Sequence, residues 1–170
     1  SQWLAQYGES VAGMPYSEAL KLLSIYTTGS LAGVFCSSLA LRTFLSPQMM
    51  LLGCTTVSTL ALAVACFFPS PTVMFGFSFI FGFAAAGGVV QLGLAMMAAQ
   101  FPRARGRATG IYYSAGSISN FTMPLITAWI VREWSIHEIF KFDVIISGCG
   151  ILLAVFIAWR SRHAQAIDLN

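Results

Sequence analysis

Five long stretches with almost no charge divide this 170-residue sequence, and they restrict its possible folds more than any other feature. They cover about residues 17–41, 47–68, 72–100, 108–131 and 142–159. A helix that crosses a bilayer needs about 20 mostly apolar residues, and each stretch is near that length or longer. Because the stretches are continuous and do not alternate between apolar and polar residues, membrane-spanning strands fit them poorly. We therefore predict an all-α, polytopic membrane protein with about five transmembrane helices.

The composition agrees with a membrane protein and argues against a soluble domain. The sequence is 57% hydrophobic and only 9% charged, whereas a soluble globular domain has about a quarter charged residues. So few charges could not cover a surface in water, but a surface that faces lipid can stay apolar. The net charge of +3 gives no indication of a nucleic-acid partner. We predict membrane lipid as the surrounding partner and no nucleic acid.

The apolar stretches divide the chain into three parts. Residues 1–16 predict the end of a truncated earlier helix and an outer loop, because Gln2, Trp3 and Tyr7 suit a helix end at the membrane interface. Residues 17–163 form the five-helix bundle, and residues 164–170 form a cytoplasmic tail. The sequence has no start methionine and no signal-peptide pattern, so we expect it to be a fragment of a longer protein.

The basic residues predict the orientation of the bundle in a cell membrane. If the first span runs inward, most of the nine basic residues fall in cytoplasmic segments: Arg42, Arg103, Arg105, Arg107, Arg160 and Arg162. The outer segments then hold Lys21, Arg132 and Lys141. Since basic residues in short loops set orientation, we expect the amino end outside and the carboxyl end in the cytoplasm. The cytoplasmic loop at 103–107 could also bind anionic lipid or phosphate, although an orientation signal is the simpler interpretation.

Small residues predict where the helices approach each other closely, since helices in lipid associate through such residues. Two GxxxG pairs and a glycine pair in the third stretch are the candidates for helix packing: Gly29, Gly33, Gly87, Gly88, Gly106 and Gly110.

Polar side chains within the stretches are the candidates for a binding site. Gln91 lies on the third stretch, and Tyr113, Ser117 and Asn120 share one face of the fourth because they are four and three residues apart. These groups either bond to each other and hold helices together, or line a polar path for a solute. Gln2 and Trp3 are further candidates from the first segment.

Features of an enzyme or a metal site are not found in the sequence. The four cysteines, Cys36, Cys54, Cys66 and Cys149, lie in apolar runs without a CxxC spacing or a neighbouring histidine, which argues against a zinc site or a disulfide scaffold. Paired carboxylates and nucleophile–base sets are not evident either. We predict no enzymatic activity, no cofactor and no metal.

Several runs in the second half carry a family resemblance: GGVVQLG at 87–93, FPRARGRATG at 101–110 and YYSAGSISNFTMPLI at 112–126. This order resembles the tenth and eleventh helices of major facilitator superfamily transporters, with the basic cytoplasmic loop between them. The opening SQWL at 1–4 resembles the outer end of the seventh helix, so the chain would hold helices eight to twelve of the C-terminal half. One departure is that Gly33 to Arg42 lacks the aspartate of the family's loop signature.

The resemblance implies a secondary active transporter that moves a small solute by alternating access. Helices seven, eight, ten and eleven would face the central cavity, and the missing N-terminal half of the same transporter would be the partner. An alternative is a membrane scaffold or assembly subunit, in which the glycine runs only bind other helices. An intramembrane enzyme is the weakest alternative, since the catalytic sets named above are missing.

Overall fold

The computed structural model describes residues 3–41, 46–134 and 136–167, and every regular element within these ranges is helical. This confirms the prediction of an all-α helix bundle. In chain order the helices are α1 (Leu4–Ser10), α2 (Tyr16–Ala40), α3 (Pro47–Phe67), α4 (Pro71–Phe81), a π-helix (Gly82–Val89), α5 (Val90–Gln100), α6 (Arg105–Glu133) and α7 (Ile136–Ile167).

Proline and glycine set the starts of the first helices. Pro47 and Pro71 lie in the first turn of α3 and α4, where a missing N–H costs nothing and a fixed φ suits the helix. The Ser70 hydroxyl accepts a hydrogen bond from the backbone N–H of Val73 at 3.4 Å and caps α4. Gly13 joins α1 to α2 with a φ of 66°, a conformation that favours glycine. The helices in this half therefore begin and end within a residue of the predicted stretches.

Within the described ranges, four helices are long and apolar enough to cross a membrane: Tyr16–Ala40, Pro47–Phe67, Pro71–Gln100 and Glu138–Trp159. The third of these is continuous through α4, the π-helix and α5. The remaining predicted span, about 108–131, lies inside α6, which has 29 residues and is long enough to cross. The glycines, serines and terminal charges of α6 make it more polar than the four helices named above, so its crossing of the membrane remains a prediction.

Helix α7 is longer than the apolar stretch at 142–159, because it runs from Ile136 to Ile167. Glu138 and Lys141 belong to its first turns and form an ion pair at 2.6 Å across an i, i+3 spacing. Asp143 lies inside this helix and inside the Glu138–Trp159 segment that is long and apolar enough to cross a membrane.

Two kinds of packing hold the bundle together. At one end, bulky side chains from α1, α2, α3, α4 and α7 form an apolar core, in which the Tyr7 ring stacks on Phe140 with centroids 3.6 Å apart. Further along, α2 crosses the π-helix with almost no side chains between the two backbones. Helix α6 lies at the edge of the bundle and is exposed along most of its length. Only Ala108 and Thr127 of α6 are buried.

Candidate functional site

The polar face that the sequence predicts on α6 is open in this structure. Tyr113 is 55% exposed, and Ser117 and Asn120 are exposed as well. Within the described chain, the Ser117 hydroxyl and the Asn120 amide have no hydrogen-bond partner. A bare amide in lipid is costly, so a spanning helix with this face needs water or another polypeptide beside it.

Proline increases the polarity of the same face. Pro124 lies inside α6 and has no N–H to give to the carbonyl of Asn120, four residues earlier. One turn on, the Thr127 hydroxyl lies 2.8 Å from the Met123 carbonyl and 3.2 Å from the Pro124 carbonyl. The segment around Asn120 therefore presents a side-chain amide and a carbonyl that its own helix cannot pair.

Gln91 has no hydrogen bond of its own within the described chain, but its neighbour Val90 is bonded to α6. The Tyr112 hydroxyl donates to the Val90 carbonyl at 2.9 Å, and a Cβ placed on Gly93 would lie 3.0 Å from that hydroxyl. Gln91 follows Val90 directly and is half-buried. The Tyr112–Val90 hydrogen bond thus joins α5 and α6 one residue before Gln91 and one residue before Tyr113.

Trp3 joins the first segment to α6. Its indole Nε1–H donates to the Thr127 hydroxyl at 2.8 Å, across 124 residues of sequence. This hydrogen bond ties Trp3 to α6 and engages its indole N–H. Gln2, the other candidate from this segment, lies outside the described residues, as does Arg42 of the predicted cytoplasmic set.

The glycines proposed for helix packing divide into two groups. A Cβ on Gly29 would clash with the Phe79 carbonyl, and one on Gly33 would clash with the Phe83 carbonyl and lie 3.0 Å from the Gly87 Cα. By contrast, a Cβ on either of the two candidate glycines in α6, Gly106 and Gly110, meets no described atom within 4 Å. The first pair therefore lies at a backbone crossing, and the second lies on an open surface.

The π-helix completes that crossing. A Cβ on Gly87 would lie 2.5 Å from the Ser30 carbonyl oxygen, and one on Gly88 would lie 2.7 Å from the Cys54 sulfur. The buried Ser37 hydroxyl donates to the Gly87 carbonyl at 3.1 Å. π-Helices are rare and are frequent at functional sites, and this one widens the helix where α2 and α3 approach it. The sequence showed the glycines but gave no signal for the change of helix type.

The basic loop remains at the surface. Arg103, Arg105 and Arg107 are all exposed around the start of α6. In the portions of the chain that the structure covers, the Glu138–Lys141 pair is the ion pair found, so these arginines have no acidic partner there. No group of three His, Cys, Asp or Glu side chains there could hold a metal ion.

One group that sequence reasoning missed is Asp143. It lines a cavity of about 40 Å³ whose other walls are Trp3, Leu4, Tyr26, Leu62, Phe77, Phe81 and Phe140. The signal that could have revealed it is the Glu138/Lys141 spacing, which indicates that the helix has already begun before Asp143.

Comparison with known proteins gives one consistent family. The family model described as Major Facilitator Superfamily matches residues 2–169. The inner membrane transport protein YdiM of Escherichia coli (strain K12) is 53% identical over 162 residues, which are 95% of this chain and 40% of that protein. The inner membrane transport protein YdiN of the same organism is 37% identical over 168 residues, 99% of this chain and 40% of that protein.

A more distant relative comes from another bacterium. The uncharacterized MFS-type transporter YfkL of Bacillus subtilis (strain 168) is 32% identical over 160 residues, 94% of this chain and 40% of that protein. No solved structure matches the chain. The chain thus spans about two fifths of the length of the curated relatives it matches.

Proposed function

Because the chain belongs to the Major Facilitator Superfamily, we propose that it is part of a secondary active transporter that moves a small solute across the cytoplasmic membrane by alternating access. Two relatives are named inner membrane transport proteins, which supports this class of function. The chain spans 40% of their length, so transport belongs to the whole protein. The proposed partner is the N-terminal half of the same transporter.

The observation that carries the proposal is the open polar face of α6. Tyr113, Ser117 and Asn120 lie on one face of a helix long enough to span the membrane, and all three are exposed. If this face met lipid, the Asn120 amide would have no partner, at a cost of a few kcal/mol, about that of an unpaired buried polar group. A water-filled path between two halves of a transporter removes that cost and gives a solute hydrogen-bonding groups to contact.

The few contacts of α6 suit a helix that lines the solute path and moves during transport. The helix is attached near its ends, where Ala108 and Thr127 are buried, and through the Tyr112–Val90 hydrogen bond. Its middle is free of the rest of the described chain and can be covered by a second half. We assign solute contacts to Gln91, Tyr113, Ser117 and Asn120, and we place Trp3 behind the wall.

Thiol labelling in the full-length protein tests the water-filled path. In a background without native cysteines, Ser117→Cys is expected to react with a membrane-impermeant maleimide, because the reagent needs water and an ionised thiol. The matched control is Leu152→Cys on α7, since Leu152 is 70% exposed on an apolar helix and would face lipid. We expect labelling at 117 at least about tenfold faster than at 152, the difference that 1.4 kcal/mol makes.

Equal and slow labelling at both positions would contradict the water-filled path and favour the scaffold alternative, in which α6 binds other helices. The same reagents test the orientation, with the amino end outside and the carboxyl end in the cytoplasm. Arg105→Cys is expected to react only after the cells are permeabilised, because the basic loop would lie inside. Labelling of intact cells at this position would reverse the proposed topology.

A further inference from the structure

A carboxyl group lies inside the segment of α7 that is long and apolar enough to cross a membrane. Asp143 is seven residues beyond Ile136, the first residue of the helix, which places it about 10 Å along the helix axis at 1.5 Å per residue. It is half-buried, and the span around it runs from Glu138 to Trp159. Ionisable groups inside membrane spans are costly and mark ion pathways or proton relays.

Aromatic rings surround this carboxyl group. The cavity that Asp143 lines measures about 40 Å³ and can hold about three waters at roughly 10–15 Å³ each. Five of the lining residues are aromatic: Trp3, Tyr26, Phe77, Phe81 and Phe140. Tyr26 is the one described ionisable residue that lines the cavity besides Asp143. The site is thus large enough for water and too small for a drug-sized solute.

The charged side chains at this end of the bundle decide whether Asp143 has a basic partner. By position in the sequence, the other titratable groups at this end of the helices are Tyr7 and Glu9 on α1, Tyr16, Glu18, Lys21 and Tyr26 on α2, Cys66 on α3, Arg132 and Glu133 on α6, and His137, Glu138 and Lys141 on α7. Helix α4 has none between Pro71 and Phe81, and Arg132 is exposed. Lys141 pairs with Glu138, and Lys21 is exposed. Among the described side chains, no base forms an ion pair with Asp143.

We propose that Asp143 is a proton-binding site of the transporter. A carboxylate oxygen takes a proton from a hydronium ion in the cavity, an O–H bond forms, and a water molecule is left behind. The reverse step returns the proton to water. In the ionised state the carboxylate requires water beside it, whereas the neutral acid is compatible with closure of the aromatic walls. The size and polarity of the cavity therefore follow the protonation state.

Trp3 connects this site to the wall of the solute path. Its ring lines the cavity, and its indole N–H bonds to Thr127 of α6, one of the two buried residues of that helix. A change in the size of the cavity therefore acts on Trp3, which is hydrogen-bonded to α6 three residues after Pro124. This coupling rests on the proposed transport function, whereas proton binding at Asp143 does not.

Infrared difference spectroscopy of the full-length protein in lipid vesicles tests proton binding without any solute. A pH titration is expected to show the C=O stretching band of a protonated carboxyl group, and Asp143→Asn is expected to lose that band. The matched control is Glu133→Gln, which removes an exposed carboxylate at the end of α6 and should leave the band unchanged. Asp143→Glu, which keeps an ionisable group if the amide variant fails to fold, should retain a displaced band.

An unchanged band in Asp143→Asn would overturn the proposal, whatever the protein transports. The coupling has a separate readout, the rate at which Ser117→Cys reacts with maleimide at one fixed pH. Neutralising Asp143 mimics the proton-bound state and is expected to change that rate, and Trp3→Phe is expected to abolish the change. An infrared band lost in Asp143→Asn together with an unchanged labelling rate would retain the proton site and remove its link to α6.

Discussion

The crossing of α2 with the π-helix and the open face of α6 both carry glycines in GxxxG spacing, yet they have opposite surroundings. At the crossing, Gly33 and Gly87 bring two backbones together, with the buried Ser37 hydroxyl bonded across them. On α6, Gly106 and Gly110 meet no described atom within 4 Å. A fixed crossing beside a loosely attached helix provides what the proposed alternating access needs, a rigid body and a surface for the proposed second half.

The comparison predicts the largest effect for a bulky side chain at the crossing. Gly33→Leu places a side chain against the Phe83 carbonyl and the Gly87 Cα, and backbone cannot yield as a flexible side chain can. We expect a loss of about 3 kcal/mol or more, at the upper end of overpacking. The loss should appear as low yield and early aggregation on heating in detergent.

The matched control is Gly110→Leu on α6. Nothing described lies near its Cβ position, so yield and thermal stability should stay within about 0.5 kcal/mol of the parent protein. If both variants aggregate alike, the crossing is not tighter than α6 in the membrane, and the contrast between the two regions does not hold. If Gly110→Leu is stable but inactive, the second half of the transporter packs against α6 there.

Loss of an amide on the open face should affect transport more than stability. Asn120→Ala removes an exposed group with no partner within the described chain. We expect uptake by the full-length protein to fall about tenfold or more, equivalent to a lost hydrogen bond of about 1.4 kcal/mol. Gln91→Ala is expected to act in the same direction.

Membrane insertion, measured by the amount of protein in washed membranes, should be unaffected in both amide variants. Leu125→Ala on α6 is the control, because Leu125 is exposed but has no hydrogen-bonding group. Normal uptake by the amide variants would remove Gln91 and Asn120 from the site.

The smallest effect is predicted where α6 is attached. Thr127→Val keeps the shape of the side chain but loses the oxygen that accepts from the Trp3 indole. We expect a loss of about 1 kcal/mol, typical of one hydrogen bond, and a faster maleimide reaction at Ser117→Cys because α6 is held less firmly. Thr59→Val in α3, which loses a bond to Ser147 at 2.6 Å, is the comparison outside α6. Equal changes in labelling from both variants would contradict a specific role for Trp3.

Local sequence determined the helices of this protein and the membrane environment. Apolar stretches of about 20 residues predict spanning helices because a backbone in lipid must pair with itself. Pro47 and Pro71 set two helix starts because proline lacks the N–H that a first turn does not use. The runs at 87–126 also pointed to the superfamily whose family model matches residues 2–169. The polar face of α6 followed from residue spacing alone.

Only the tertiary structure decided which glycines lie at a helix crossing and which polar group lines a cavity. The same GxxxG spacing produces a backbone crossing at Gly29 and Gly33 and an open surface at Gly106 and Gly110, because spacing sets a helix face but not what lies opposite it. Asp143 came to line an aromatic cavity because five separate helices converge there. Such convergence depends on how the helices cross, which no run of neighbouring residues encodes.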